Sequence, residues 1–157
     1  AAALADLPAD WARPAYDRGQ PCGMVHLGTG AFHRAHQACF FDALLAAGHE
    51  GWMIRGASLR SPTVAQQMNP QDGLFTVLVR DGGKERAQVV GSVCDVLVAP
   101  DDPGALVRAL ADPAVALVTL TVTEKGYCID PATGALRSDD PAVAADIANL
   151  AAPQTAP

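Results

Sequence analysis

The chain has 157 residues, of which half are hydrophobic and 18% are charged, and its formal net charge is −6. This length and composition are typical of one globular domain and exclude a disordered segment. The basic residues are scattered, so the chain has no electrostatic footprint for nucleic acid. No apolar run approaches the roughly 20 residues that are needed to span a bilayer.

The beginning of the chain, AAALADLPADWARPAYDRG, contains acids and prolines and lacks the basic-then-apolar order of a signal peptide. We expect residues 1–20 to be a polar lead-in and residues 21–157 to form one domain. Four cysteines lie far apart and form no CxxC motif: Cys22, Cys39, Cys94 and Cys128. They predict free thiols in a reducing cytoplasm, with neither a disulfide nor a metal framework.

The first half of the chain alternates predicted strands and helices. A short apolar run that ends on glycine, residues 23–28, predicts a strand. Residues 31–47 repeat apolar side chains at spacings of three and four, which predicts a helix that Gly48 ends. A second strand is predicted over 52–58 and a short helix over 62–68, where Pro62 suits the start of a helix.

The second half adds a hairpin to this pattern. Residues 74–80 and 87–98 are β-branched and flank Asp81-Gly82-Gly83, a sequence typical of a hairpin turn. Beyond them we predict helices at 103–111 and 141–150 and a strand at 115–122. The strand is the most apolar run of the chain, which favours a central strand that is buried on both faces. The whole order predicts an α/β fold with a doubly wound, mostly parallel sheet and an inserted antiparallel hairpin.

The stretch 25-VHLGTGAFHRAHQACF-40 carries the strongest chemical signal. Gly28 permits a tight turn after the strand, and Gly30 lets a pyrophosphate approach the backbone at the start of the helix. The third position of a GxGxxG motif is His33 here, and the small residue Ala35 follows two positions later. Arg34 would be stabilised in the first helical turn by a nearby anion, or it faces solvent or pairs with a surface carboxylate.

The histidines of this stretch favour packing or supporting roles over metal binding. His33 and His36 share one helix face and His26 precedes them, but no cysteine or carboxylate pattern completes a zinc site. No metal is therefore predicted.

The acidic residue that usually binds the adenosine ribose is absent after the second strand. The sequence there reads Leu59-Arg60-Ser61, and Glu50 precedes the strand. Arg60 either meets a 2′-phosphate, which would favour NADP, or faces solvent.

A second candidate site is 119-TLTVTEKGY-127, at the carboxyl end of the apolar strand. Thr121, Thr123 and Glu124 are placed to reach a nicotinamide ribose or a substrate hydroxyl. The alternative is a strand end with solvated charges. Pro131 stands four residues after Tyr127, so no YxxxK catalytic pair is present.

Four stretches together resemble the mannitol dehydrogenase family: HLGTGAFHRAHQ, GASLRS, NPQDGLFTVLVRD and VTLTVTEKGYCIDPATG. This family of polyol-specific long-chain dehydrogenases includes mannitol 2-dehydrogenases and the fructuronate and tagaturonate reductases. The resemblance runs from about Gly19 onward. It implies a Rossmann-type domain that binds NAD, with NADP open, followed by a largely helical substrate domain.

The resemblance also implies which residues bind the cofactor. It assigns Thr123 and Glu124 to the nicotinamide side, and it assigns the glycine loop as follows: Gly28, Thr29, Gly30, Ala31, Phe32, His33 and Arg34. The catalytic lysine of the family, with its asparagine and histidine partners, has no match in residues 1–157, and Lys125 belongs to a different motif. No catalytic residue is therefore expected in this chain, and family members transfer hydride without a catalytic metal.

These features lead to one functional expectation and one alternative. We expect the dinucleotide-binding domain of an oxidoreductase that interconverts a polyol or sugar acid, such as mannitol or mannonate, with fructose or fructuronate. The expected partners are that small-molecule substrate and a further domain of the same protein, without which the chain is predicted to be inactive and to self-associate through an exposed apolar face. The alternative is a non-catalytic nucleotide-binding module that is natural in this short form.

Overall fold

The computed structural model describes residues 2–150. The chain divides into two compact units, Ala1–Thr121 and Val122–Pro157. The strands are β1 (Met24–Leu27), β2 (Ile54–Ser58), β3 (Phe75–Asp81), β4 (Lys84–Val90), β5 (Val93–Val98) and β6 (Leu117–Leu120). The α-helices are α1 (Ala31–Ala35), α2 (Gln37–Ala46), α3 (Thr63–Met68), α4 (Pro103–Leu110) and α5 (Pro141–Ala148). Short 3₁₀ helices occupy Ala2–Asp6, Asn69–Gln71 and Glu124–Tyr127.

The first unit is built on a parallel sheet with the strand order β5-β2-β1-β6. Successive residues of β1 point to opposite faces, as a pleated strand requires. Met24 packs in a core with Ala38 of α2 and Met68 of α3, whereas Val25 packs in a second core with Leu106 of α4. Because helices pack against both faces of β1, the predicted doubly wound architecture is confirmed.

The predicted hairpin is also confirmed, but it forms a separate sheet. Strands β3 and β4 pair antiparallel from Phe75↔Val90 to Asp81↔Lys84, and Gly82 and Gly83 both have positive φ. The prediction that 87–98 is one continuous strand is wrong. The chain leaves the hairpin at Gly91 and enters the parallel sheet as β5. A Cβ at Gly91 would lie 2.5 Å from Cγ of Pro14, so the lead-in packs directly against the backbone between β4 and β5.

The lead-in is tied to the domain by specific hydrogen bonds. Ala12 accepts a hydrogen bond from the Val89 N–H (2.8 Å) and donates to the Ala87 carbonyl (3.2 Å), which extends the hairpin by one bridge. The Tyr16 hydroxyl donates to Asp42, a buried carboxylate of α2 that also accepts from the Gly91 N–H at 2.8 Å. Burial and the hydrogen bond to Asp42 raise the pKa of Tyr16 well above its usual value.

Strand β6 differs most from its prediction. The apolar run 115–122 predicts a strand buried on both faces, but Leu117, Val118 and Leu120 are exposed. Within residues 2–150, β6 pairs only with β1, so it is the last strand of the sheet on that side. The prediction of a strand is confirmed and the prediction of a central position is wrong, since apolar composition does not specify which strands lie beside it.

The predicted helix 31–47 is interrupted. His36 has φ −128° and ψ −83°, outside the helical region, and it separates α1 from α2. The predicted free state of the cysteines stays a prediction for Cys22 and Cys94, which lie close together with their Cα atoms 7.3 Å apart, a separation wider than a disulfide spans. Cys94 lies where the register between β2 and β5 shifts, and a bulge of this kind redirects a side chain. Cys39 and Cys128 are free.

No helix in the described range 2–150 is long and apolar enough to cross a membrane.

Candidate functional site

The glycine loop lies at the carboxyl end of β1, between β2 and β6. Gly28 has φ +94°, a left-handed conformation that favours glycine, and its N–H donates to the Ala57 carbonyl of β2 at 2.8 Å. On the other side, the Thr121 N–H donates to the Leu27 carbonyl at 3.0 Å. The loop is therefore held at the edge of the sheet where open α/β folds bind ligands.

Neither crowding nor a left-handed backbone requires glycine at position 30, which is the N-cap of α1. Its φ is −79°, which any residue adopts, and a Cβ built there would have the Gly28 carbonyl oxygen as its nearest neighbour, at 3.8 Å. Gly30 is exposed. The fold thus leaves open space in front of the backbone at this position, as a closely approaching ligand would require.

Thr29 anchors the loop to β2. Its side chain is 2% exposed, and a Cβ on Gly56 of β2 would lie 2.5 Å from Thr29 Oγ1. Gly56 therefore makes room for Thr29. The Oγ1 atom of Thr29 has no hydrogen-bond partner.

A stacked pair of histidines lies beneath the loop. The rings of His26 in β1 and His33 in α1 are 3.6 Å apart and nearly parallel, and both side chains are buried. His26 Nδ1 is 2.8 Å from Thr119 Oγ1, and its Nε2 is 3.1 Å from Thr121 Oγ1 and 3.2 Å from the Gly28 carbonyl. The pair thus connects the loop to β6.

The same network continues into α2. His33 Nδ1 is 3.0 Å from Gln37 Oε1, and Thr119 Oγ1 lies 3.3 Å from the same atom. Desolvation, with a contribution from His26, lowers the pKa of His33 to about 4. Desolvation also lowers the pKa of His26. Both rings are therefore neutral near pH 7, which allows them to stack without charge repulsion.

Buried polar atoms without partners concentrate at this loop. In the described part of the chain they are Thr29 Oγ1, His33 Nε2, Arg34 Nε and Arg13 Nε, so three of the four lie in residues 29–34. Native proteins pair nearly all buried polar groups, so each of these atoms requires a partner, which water or a bound molecule can supply. An anionic and hydroxyl-bearing molecule would supply acceptors for Arg34 and hydrogen-bond partners for His33 and Thr29.

A groove of about 490 Å³ opens beside β6. One wall is an aromatic stripe, Phe32, His36 and Phe40, whose neighbouring ring centroids are 5.2 and 5.1 Å apart. Its polar lining includes His33, Gln37 and Thr119. Phe32 and Phe40 are each about two-thirds exposed, so the stripe is free to contact another molecule.

The other predicted site residues lie in two places. Leu59 and Arg60 follow β2 and are exposed, and the register Leu27↔Ala57 puts this strand end beside Gly28. Thr121 follows β6, and its carbonyl oxygen would lie 3.5 Å from a Cβ on Gly28. Thr123 and Glu124 belong to the second unit, in which Glu124–Tyr127 is a 3₁₀ helix.

Sequence reasoning missed three residues that build the site, Gln37, Thr119 and Gly56, whereas it favoured a packing or supporting role for His26. Gln37 and Thr119 are 82 residues apart, and no local pattern links them. His26 was visible as a polar residue in an apolar strand, but its role depends on the register with Thr119. No group of three or more His, Cys, Asp or Glu side chains that could hold a metal occurs among the residues described.

A parallel sheet with helices on both faces and a glycine turn at the carboxyl end of its first strand defines a Rossmann-type domain. Residues 22–156 match the family model described as the mannitol dehydrogenase Rossmann domain. The chain therefore belongs to the mannitol dehydrogenase family, as its motifs predict.

Relatives and solved structures agree with this assignment. A mannitol 2-dehydrogenase of Cereibacter sphaeroides is 44% identical over 149 residues, which cover 92% of this chain and 31% of that protein. A polyol:NADP oxidoreductase of Gluconobacter oxydans is 39% identical over 158 residues, covering 97% and 32%. The ternary complex of Pseudomonas fluorescens mannitol 2-dehydrogenase with NAD and D-mannitol superposes with a TM-score of 0.85 at 38% identity, covering 94% and 31%. The chain spans about a third of the length of these relatives.

Proposed function

We propose that this chain is the dinucleotide-binding domain of an oxidoreductase that interconverts a polyol or sugar acid with its ketose or keto acid. The observation that carries the proposal is the cluster of unpartnered buried atoms on Thr29, His33 and Arg34. These atoms adjoin the open space at Gly30, and all of them lie at the ligand-binding edge of the sheet. The nicotinamide of a bound NAD would accept or donate the hydride.

Each predicted residue has a role in this proposal. The backbone of the glycine loop from Gly28 to His33 receives the pyrophosphate, and the Arg34 guanidinium pairs with its charge. Leu59 and Arg60 border the adenosine, while Thr121, Thr123 and Glu124 serve the nicotinamide ribose. A hydroxyl or carboxylate beside a bound ribose orients it by hydrogen bonds. No residue of this chain is proposed to transfer a proton to or from the substrate.

The cofactor is proposed to be NAD, with NADP as the alternative. The known relatives include a solved complex with NAD and an oxidoreductase named for NADP. Arg60 is exposed after β2, where a guanidinium would attract the 2′-phosphate of NADP. Because Arg60 follows β2 where a carboxylate is usual, the ribose hydroxyls of NAD would lack their usual acidic partner.

The substrate class is proposed from the relatives, whose names include mannitol 2-dehydrogenase and polyol oxidoreductase. A fructuronate reductase remains part of the proposal, because the SLRS stretch resembles that branch. The catalytic lysine and the substrate pocket are proposed to lie in a further domain of the same protein, which acts with this one in the cytoplasm. No contact or comparison favours the non-catalytic module.

Gly30→Ala tests the proposal. Because a Cβ fits the fold at this position, the variant should fold, and its unfolding temperature should fall only slightly, by the preference of this helix N-cap for glycine over alanine. It should bind NADH at least tenfold more weakly, since the methyl group occupies the space proposed for the pyrophosphate. The measurement is calorimetric titration with NADH. A parallel titration with NADPH on the wild type and on Arg60→Ala decides the cofactor, because loss of the guanidinium should weaken the binding of NADPH alone.

Gly104→Ala is the matched control. Gly104 also lacks a left-handed φ, and its added Cβ would meet the end of the exposed Arg108 side chain at 3.0 Å and the Asp102 carboxylate at 3.2 Å. The control should bind NADH as the wild type does. Equal NADH affinities for Gly30→Ala and the control would show that the glycine loop is not the pyrophosphate site.

A further inference from the structure

The fold brings together two cysteines that are 72 residues apart in the chain. Cys22 precedes β1 and Cys94 lies in β5, and their Sγ atoms are in contact although β2 separates the two strands. Both side chains are half-buried, so a small molecule in solution can reach them. The two thiols lie at the amino ends of the strands, whereas the glycine loop follows the carboxyl end of β1. The pair is therefore separate from the candidate site.

The residues beside the two cysteines are fixed in the core of the first unit. Met24, Ile54 and Val93 lie opposite one another in the register of β1, β2 and β5, and all three are fully buried in the same core cluster. The Ile54 N–H also donates to the Ser92 carbonyl at 2.8 Å. Folding therefore holds the two thiols at a high effective concentration relative to each other.

A covalent bond between the two sulfur atoms requires only a small movement of the backbone. The Cα atoms of Cys22 and Cys94 are 7.3 Å apart, whereas disulfides span up to roughly 6.8 Å. Cys94 is the extra residue of the bulge between β2 and β5, where the ladder is interrupted and the strand bends more readily. Cys22 lies in the irregular chain before β1. The approach of about half an ångström is therefore confined to irregular backbone.

The other two cysteines supply matched controls within the same chain. Cys39 and Cys128, which both lie in the described range 2–150, are free thiols. Burial raises the pKa of the Cys39 thiol, which lowers its reactivity, because the thiolate is the nucleophile. Cys128 belongs to the second unit.

We propose that Cys22 and Cys94 form a reversible redox site that a low-molecular-weight disulfide, such as glutathione disulfide, oxidises. One protein thiolate attacks a sulfur of glutathione disulfide, which gives a mixed disulfide and releases one glutathione. The second protein thiolate attacks the protein sulfur of that mixed disulfide and releases the other glutathione. In total the two protein thiols lose two electrons and two protons, and glutathione disulfide gains them.

This bond would act on the stability of the chain. It would close a loop that contains β1 to β4 and the glycine loop between them. Closing a long loop restricts the unfolded chain, which favours the folded state. The oxidised chain should therefore unfold at a temperature roughly 5–15 °C above that of the reduced chain.

The first test is oxidation of the full chain with glutathione disulfide, followed by blocking of the remaining thiols and intact-mass spectrometry. The double variant Cys39→Ser with Cys128→Ser leaves only the proposed pair to react. It should lose both thiols without retaining glutathione, and a peptide map without reductant should contain a Cys22–Cys94 crosslink. Adding Cys22→Ser or Cys94→Ser should stop the reaction at one retained glutathione. Serine at position 94 keeps a donor for the Ile54 carbonyl, which Cys94 Sγ contacts at 3.1 Å.

The second test is thermal unfolding of the wild-type chain in its reduced and oxidised forms, which does not depend on the folding of any variant. Reduction with dithiothreitol should return the unfolding temperature to its lower value. Retention of glutathione on both cysteines of the pair, with no crosslink, would overturn the proposal. An internal bond that leaves the unfolding temperature unchanged would also overturn it.

Discussion

At the scale of single residues, the buried neutral histidine His33 makes stability depend on pH. Burial lowers its pKa from 6.5 to about 4 in the folded chain, so the unfolded chain binds more protons in that interval. The contribution of His33 is thus fully present above about pH 6.5 and is lost as the pH falls towards 4. The loss should amount to on the order of 2 kcal/mol.

Urea unfolding at pH 7 and pH 5 measures this effect. The wild type should lose more unfolding free energy between the two pH values than His33→Phe does, because phenylalanine does not titrate. His49→Ala, which alters an exposed histidine, should behave as the wild type. Identical pH dependence in all three proteins would contradict the burial of a neutral His33.

At the scale of elements, the glycine loop and β2 interlock through Thr29 and Gly56. A Cβ on Gly56 would lie 2.5 Å from Thr29 Oγ1 and 3.0 Å from its Cγ2, closer than atoms in proteins pack. Gly56→Ala should therefore destabilise the chain by about 1–3 kcal/mol. The measurement is the midpoint of thermal or urea unfolding.

The double variant Gly56→Ala with Thr29→Ala distinguishes this clash from a general effect on β2. Removing Oγ1 and Cγ2 of Thr29 should restore most of the stability lost in Gly56→Ala, giving a favourable coupling energy in a double-mutant cycle. Additive losses would show that Thr29 is not the source of the strain.

At the scale of the whole molecule, β6 presents an unpaired edge with exposed apolar side chains. Leu117, Val118 and Leu120 are all exposed, and no strand among residues 2–150 pairs with the free side of β6. Exposed apolar edges promote association between molecules. We expect the chain to self-associate at high concentration, measured by sedimentation velocity over a dilution series.

Leu120→Lys should weaken this association, because a lysine on an edge strand opposes pairing with another strand. Leu78→Lys is the control: Leu78 is similarly exposed, but it lies in the separate sheet of the hairpin. A monodisperse monomer of the wild type at high concentration would refute the expectation.

Much of the fold was predictable because it depends on local chemistry. The glycine that ends β1, the helical period after it and the Asp-Gly turn of the hairpin each act within a few residues. The order of strands and helices followed from these signals. The division of 87–98 at Gly91 was not predictable, since Gly91 packs against the distant residue Pro14. The break at His36 has no structural explanation, because its ring contacts are with the nearby residues Phe32 and Phe40.

The amino-acid sequence alone determined the family, the doubly wound class and the position of the glycine loop, since motifs and periodicity are local. Only the tertiary structure decided that β6 lies at an edge, that Cys94 meets Cys22 and that Gln37 shares a network with Thr119. Each of these contacts joins residues far apart in the chain. Strand register and packing select such pairs, and a residue's type does not reveal its distant neighbour.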